Sequence, residues 1–167
     1  MKIKFLYHTY ANLVFNLALQ YTHNVEDAEE ITQDVFLKIY NHLEGFNHQS
    51  NIKTWIYRIT INQSLDFLKS KNRKKRSFLG TFFDRTHENK LNNVSDFNHP
   101  GIELQNKEAM EILMAKIHQL PENQKTVIIL LKIEDLSQKQ VAIIMNISES
   151  AVESLFQRAK TNLKKTL

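Results

Sequence analysis

Residues 137–160 read SQKQVAIIMNISESAVESLFQRAK, and the way this stretch is punctuated governs how the rest of the chain is taken. Ser137 followed by Gln140 forms a capping box, which opens a short helix with Val141, Ala142 and Met145 facing inward. Ala142 is small where two helices must approach closely. Asn146 tolerates the left-handed backbone that a sharp turn needs, and Ile147 plugs the angle behind it. Ser148 caps a second helix, whose Val152, Leu155, Phe156, Ala159 and Leu163 make an apolar stripe. Glu149, Ser150, Ser154, Gln157, Arg158 and Thr161 are left outward. An ordinary helical hairpin uses similar caps, but here the small residue, the turn residue and the anchors all sit at helix-turn-helix offsets. The outward face is therefore the candidate reader of a DNA major groove. Arg158 suits a guanine edge or a phosphate, Ser154 suits either, and Glu149 and Glu153 repel phosphate.

Upstream of this motif the chain keeps a helical character. Three Gly and two Pro in 167 residues leave long stretches rich in helix formers. Tyr10, Leu13, Val14, Leu17, Ala18 and Tyr21 repeat at three-four spacing in a first helix. Asn24 caps a second, ending near Gly45, with Ala28, Ile31, Val35 and Ile39 inside. Asn51 or Ser50 caps a third, with Ile52, Trp55, Ile56 and Ile59 inward, running into the basic segment Lys69 to Arg76. From Ser77 to about Gln105 the periodicity fails, and Pro100 and Gly101 stand near the end of a polar join. Its Phe78, Leu79, Phe82 and Phe83 are too apolar for a plain tether and suit docking on the protein itself or on a partner. Helical register resumes with Ala109, Leu113, Ile117 and Leu120, and Pro121 suits the first turn of another helix. Val127 to Ile133, almost wholly apolar, reads as a continuation of that helix rather than a strand. The expectation is an all-α protein of two small helical domains, 1–76 and 106–167, joined by a flexible linker at 77–105.

Charge is uneven along the chain. Met1 to Ile52 holds three Lys and six carboxylates, whereas Lys53 to Arg76 holds eight Lys or Arg against the single acid Asp66. A basic segment beside an acidic one points to a polyanionic partner more firmly than the net charge of +4 does. The absence of Cys excludes disulfides, thiolate catalysis and cysteine zinc fingers. Seven His invite a metal site, but none lies three or four residues from another, so neither metal nor cofactor nor enzyme activity is expected. No apolar run reaches the ~18 to 20 residues of a membrane span, which points to a cytoplasmic protein without membrane insertion.

Asp27-Ala28-Glu29-Glu30-Ile31-Thr32-Gln33-Asp34-Val35-Phe36-Leu37-Lys38, followed by Phe46 and by Trp55-Ile56-Tyr57-Arg58-Ile59 with Asn62, resembles the polymerase-binding and promoter-opening region of an extracytoplasmic-function sigma factor. Leu120-Pro121 with Gln124 and Val127, and Ala151-Val152-Glu153-Ser154 with Arg158-Ala159-Lys160, resemble the other domain of the same family, in the right order. The resemblance implies a non-catalytic initiation subunit that takes bacterial core RNA polymerase to promoter DNA, duplex and melted, and that is held by an anti-sigma factor.

It also assigns residues. Asp27, Glu30, Gln33, Asp34, Phe36 and Lys38 would meet the coiled coil of the largest polymerase subunit, although taken alone this polar face reads as solvated. The loop from Asn47 to Lys53, with Ser50, would surround a flipped base of the minus-ten element. Arg58, Asn62, Lys69, Lys71 and Arg73 would follow the strand backbone. Trp55 is core by register and a base-stacking platform by resemblance. Gln138, Ser148, Glu149, Ser150, Glu153, Ser154, Gln157 and Arg158 would face the minus-thirty-five element. Glu153 and Leu155 stand where many relatives carry basic residues, so the target sequence does not follow from the family. The competing reading is a helix-turn-helix transcription regulator that is not a polymerase subunit, whose N-terminal half would bind a ligand or dimerise.

Overall fold

A computed structural model describes residues 2–46, 51–81 and 104–166, with the side chains of residues 2, 75–81, 104–108 and 166 left out. Asn47, Ser50, Phe82 and Phe83, and the side chains of Phe78 and Leu79, lie outside the described residues. Seven helices and no strand occur among the described residues. The chain divides into two compact units, Met1–Ser95 and Asp96–Leu167.

The first unit is built from three long helices, α1 (Lys2–Thr22), α2 (Val25–His42) and α3 (Ile52–Thr81). The turn from α1 to α2 is closed by His23 in the left-handed region, φ 51°, with its N–H bonded to the Leu19 carbonyl at 2.9 Å. Asn24 then caps α2, its Oδ1 accepting from the Asp27 amide at 2.8 Å, with Glu26 and Asp27 in the first turn where the helix dipole favours carboxylates. Asn51 starts α3 by accepting the Lys53 amide on its side chain at 2.9 Å and the Trp55 amide on its carbonyl at 3.1 Å. Val14, Ala18, Ala28, Ile31, Val35, Ile39 and Ile56 are fully buried in one core between the three helices.

The inward face of α3 differs from its sequence-based expectation. Ile56 is buried with Tyr57, Thr60, Ile61 and Ser64, while Ile52, Trp55 and Ile59 are half-buried along the edge. Thr60 and Ser64 enter the core because each hydroxyl donates to the carbonyl one turn back, at 2.8 Å in both cases. The pattern hid this face, since two of its members are polar by type and satisfied by geometry. The helix also continues to Thr81, past the expected boundary at Ser77.

In the second unit α4 (Leu104–His118) leads to α5 (Glu122–Ile128). Pro121 stands one residue ahead of α5 rather than in its first turn, and its carbonyl takes the Lys125 amide at 2.9 Å. As expected the apolar run stays helical, but Ile129–Ile133 widens into a π-helical turn, closed by the Glu134 amide on the Ile129 carbonyl at 3.0 Å. Asp135, with φ 51°, then turns the chain toward α6 (Gln138–Met145) and α7 (Glu149–Thr166). Met114, Ile117, Leu120, Ile128 and Ala159 form one buried cluster, covered by Leu113, Phe156 and Leu163. Val127, Ile129, Leu130, Val141 and Val152 are fully or almost fully buried. Lys125 is buried as well; desolvation holds its ammonium below the usual lysine range, with Glu122 pulling the other way.

Candidate nucleic-acid interface

The helix-turn-helix is held by its caps and by its turn. Ser137 Oγ accepts the Gln140 amide at 3.3 Å and the Gln140 side chain accepts the Ser137 amide at 2.9 Å, completing the capping box. Asn146 is left-handed, φ 56° and ψ 47°, as its position requires. The Ile147 amide donates to the Ala142 carbonyl at 3.0 Å, and Ser148 Oγ accepts the Ala151 amide at 3.2 Å while sharing a hydrogen bond with Ser150 Oγ at 3.0 Å. Val141, Ala142 and Ile144 are the buried residues of α6. Met145, expected inside, is half-buried, and Ile144 takes the buried place beside Val141 and Ala142.

Along α7, Ser150, Ser154, Gln157, Arg158 and Thr161 are exposed on one line. Glu153, half-buried at its edge, accepts from Gln138 Nε2 at 2.5 Å through one carboxylate oxygen and from Gln157 Nε2 at 2.6 Å through the other. Of the residues expected to face duplex DNA, Ser148 is thus committed to capping, and Gln138, Glu153 and Gln157 are joined in one network across both helices.

In the first unit the expected polar face of α2 divides into three. Asp27 pairs with Lys71 Nζ of α3 at 2.5 Å. Asp34 Oδ2 accepts from Gln63 Nε2 at 2.8 Å, and the Oε1 of the same Gln63 accepts from Lys38 Nζ. These three residues face α3. Phe36 does not belong to the outward face: it is only 7% exposed and meets Tyr7 of α1 edge-on at 4.8 Å between ring centroids. It lies on the flank of α2 next to the buried stripe, so its neighbour there is α1. Glu30 and Gln33 remain outward, and they share that line with Leu37 and Tyr40, which are 61% and 64% exposed. Leu37 and Tyr40 were missed in the sequence, although their signal is present: both are large and apolar, and both fall off the inner stripe Ala28, Ile31, Val35, Ile39.

On α3, Trp55 packs against Phe46 at 5.0 Å with the rings tilted by 35°. Half-buried Arg58 and the exposed Asn62, Lys69 and Arg73 follow it at three-, four- and seven-residue steps along one side of the helix, which Asp66 also joins. Lys53 is exposed, with Nζ 5.9 Å from the Tyr57 ring centroid. Lys71 stands apart from this line, turned toward Asp27 and 6.0 Å from the Phe67 ring centroid. Among the described residues no His, Asp and Glu are grouped so as to hold a metal, and no helix is long and apolar enough to cross a membrane.

A three-helix unit with a basic outward line, followed by a unit ending in a helix-turn-helix, is the arrangement of a sigma-70-type initiation factor. Residues 6–74 match the family Sigma-70 region 2, and residues 110–163 match Sigma-70, region 4. The ECF RNA polymerase sigma-E factor of Haemophilus influenzae is 30% identical over 151 residues, covering 90% of this chain and 79% of that protein. The ECF RNA polymerase sigma factor SigM of Bacillus subtilis is 26% identical over 167 residues, covering 98% and 94%. The chain belongs to the extracytoplasmic-function sigma factors, the subunits that bind core RNA polymerase and direct promoter-specific initiation. Its fold is similar to that of the sigma factor RpoE from Bartonella quintana, solved with the anti-sigma factor NepR, at a TM-score of 0.71 and 19% identity over 98% of this chain and 95% of that one. A helix-turn-helix regulator of another kind is disfavoured by the region 2 match.

Proposed function

We propose that the two units divide promoter recognition between them, residues 1–76 taking core polymerase and the melted minus-ten element and residues 106–167 the duplex minus-thirty-five element, with 77–105 as the join. The single observation that carries this reading is the pair of lines, one on α3 with three cations and one on α7 with Arg158 alone, each mixing charge with hydrogen-bonding side chains. On α3, Arg58, Asn62, Lys69 and Arg73 supply cations and amide to a strand backbone, and Trp55, already packed on Phe46, offers the edge of an aromatic pair to an unstacked base. On α7, Ser154, Gln157 and Arg158 suit base edges and phosphates. Core polymerase is met by the outward line of α2, Glu30 and Gln33 with Leu37 and Tyr40, while Asp27, Asp34 and Lys38 support that line from the α3 side.

The factor has no catalytic chemistry of its own and works in the cytoplasm beside the polymerase. An anti-sigma factor holds it in reserve, as NepR binds the similar Bartonella quintana factor.

Reconstitution with core polymerase tests the reading. Initiation at discrete promoters is expected, and Arg158→Ala should weaken binding of the upstream element several-fold while leaving polymerase binding intact. Leu37→Arg should do the reverse. Absence of any binding to core polymerase would sink the assignment.

A further inference from the structure

Glu153 stands where phosphate repulsion is expected, yet both of its carboxylate oxygens are occupied by amide donors from within the protein. A carboxylate accepts only, so each glutamine must present nitrogen, not oxygen, to Glu153. For Gln157 this removes the ambiguity of a terminal amide that is otherwise able to rotate end for end. With its nitrogen held by one hydrogen bond at 2.6 Å, Gln157 keeps its Oε1 and a second N–H for other partners. Oxygen and N–H side by side are the pair that reads adenine, accepting from N6 and donating to N7. Gln157 is exposed on the line of Ser154 and Arg158. Gln138, the first residue of α6, holds the second carboxylate oxygen and so fixes Glu153 from the other helix of the motif.

We propose that Glu153 is a positioning residue for sequence choice: held by Gln138, it sets the Gln157 amide to read an adenine in the upstream promoter element. This rests on α7 facing that element. A negative charge beside a DNA-facing line is thereby held by two amide donors, and the helix gains selectivity where basic residues would give grip.

The test uses full-length protein assembled with core polymerase and a library of promoters randomised through the upstream element, scored by initiation. Wild type should prefer adenine at one position by roughly five- to a hundredfold, the range of a good bidentate contact. Gln157→Ala and Glu153→Ala should each flatten that same position to within about twofold, and the double variant should do no more than either single one. Preferences at other positions and binding to core polymerase should stay as they are. Thermal melting identifies a variant that has lost its fold, in which case Glu153→Gln, of equal length and with a single acceptor oxygen, carries the test. If Gln157→Ala flattens one position and the Glu153 variants leave it intact or weaken all sequences alike, the proposal is overturned and the placement of α7 stands. If neither Gln157→Ala nor Arg158→Ala changes any upstream preference, the placement of α7 falls and the proposal with it.

Discussion

The two units reach a helical fold by opposite means. The first spends its residues on length: α1, α2 and α3 are long enough to share one buried stripe, and their ends rest on His23, Asn24 and Asn51. The second is made of shorter pieces, and its direction changes are written residue by residue, in Pro121, the π-helical turn, Asp135, Ser137, Asn146 and Ser148. Long helices draw their stability from packing, whereas short ones depend on what satisfies their ends. Substitutions in the core should therefore be costly in both units, and substitutions at caps and turns should cost more in the second than in the first.

The largest effect is expected at Ile31, fully buried at the centre of α2. Ile31→Ala should lower the stability of the first unit by ~2 to 5 kcal/mol, and amide exchange should show the loss in α1, α2 and α3 while α5 to α7 keep their protection. Equal loss in both sets would break the comparison, since it would mean that the units do not unfold separately.

At the turn of the second unit, Asn146→Val forces a β-branched residue into a left-handed conformation and should cost ~1 to 2 kcal/mol. Ser137→Ala removes the capping box and should cost about 1 kcal/mol, and Asn146→Gly should be close to neutral. Denaturant unfolding measures all three. An Asn146→Val protein as stable as wild type would show that packing, not the turn, sets the path of the chain here.

The same contrast explains what the sequence made legible. The helix-turn-helix was readable almost to the residue because its signals are local: a capping box, a residue fit for positive φ and a small residue at the close approach all lie within two turns of where they act. Asn24 and the inner stripe of α2 were readable for the same reason. What stayed hidden depends on partners distant in the chain. Thr60 and Ser64 look polar until their hydroxyls are placed on the carbonyls behind them. Phe36, Asp27, Asp34 and Lys38 looked like one outward face because helical spacing alone does not say which flank meets α1 and which meets α3. His23 and Asp135 carry positive φ with none of the Gly or Asn that usually advertises it.

The smallest effect is expected where the first unit uses charge. Lys71 is drawn from the basic run of α3 to Asp27 of α2; its side chain is 55% exposed against 15% for the acid. An ion pair with one partner in water adds little, so a double-mutant cycle of Asp27→Asn and Lys71→Gln should give a coupling below about 1 kcal/mol that fades as salt is raised. A larger coupling, resistant to salt, would make this pair a structural joint and narrow the difference between the units. The consequence for DNA runs the other way. With the lysine released, Asp27→Asn should make it more available to a phosphate backbone, so the dependence of nonspecific DNA binding on salt should steepen by at most about one phosphate contact. Lys71→Gln should lower that slope by less than about one phosphate contact, because a pair this weak withdraws the lysine only in part from the contacts that Arg58, Lys69 and Arg73 provide.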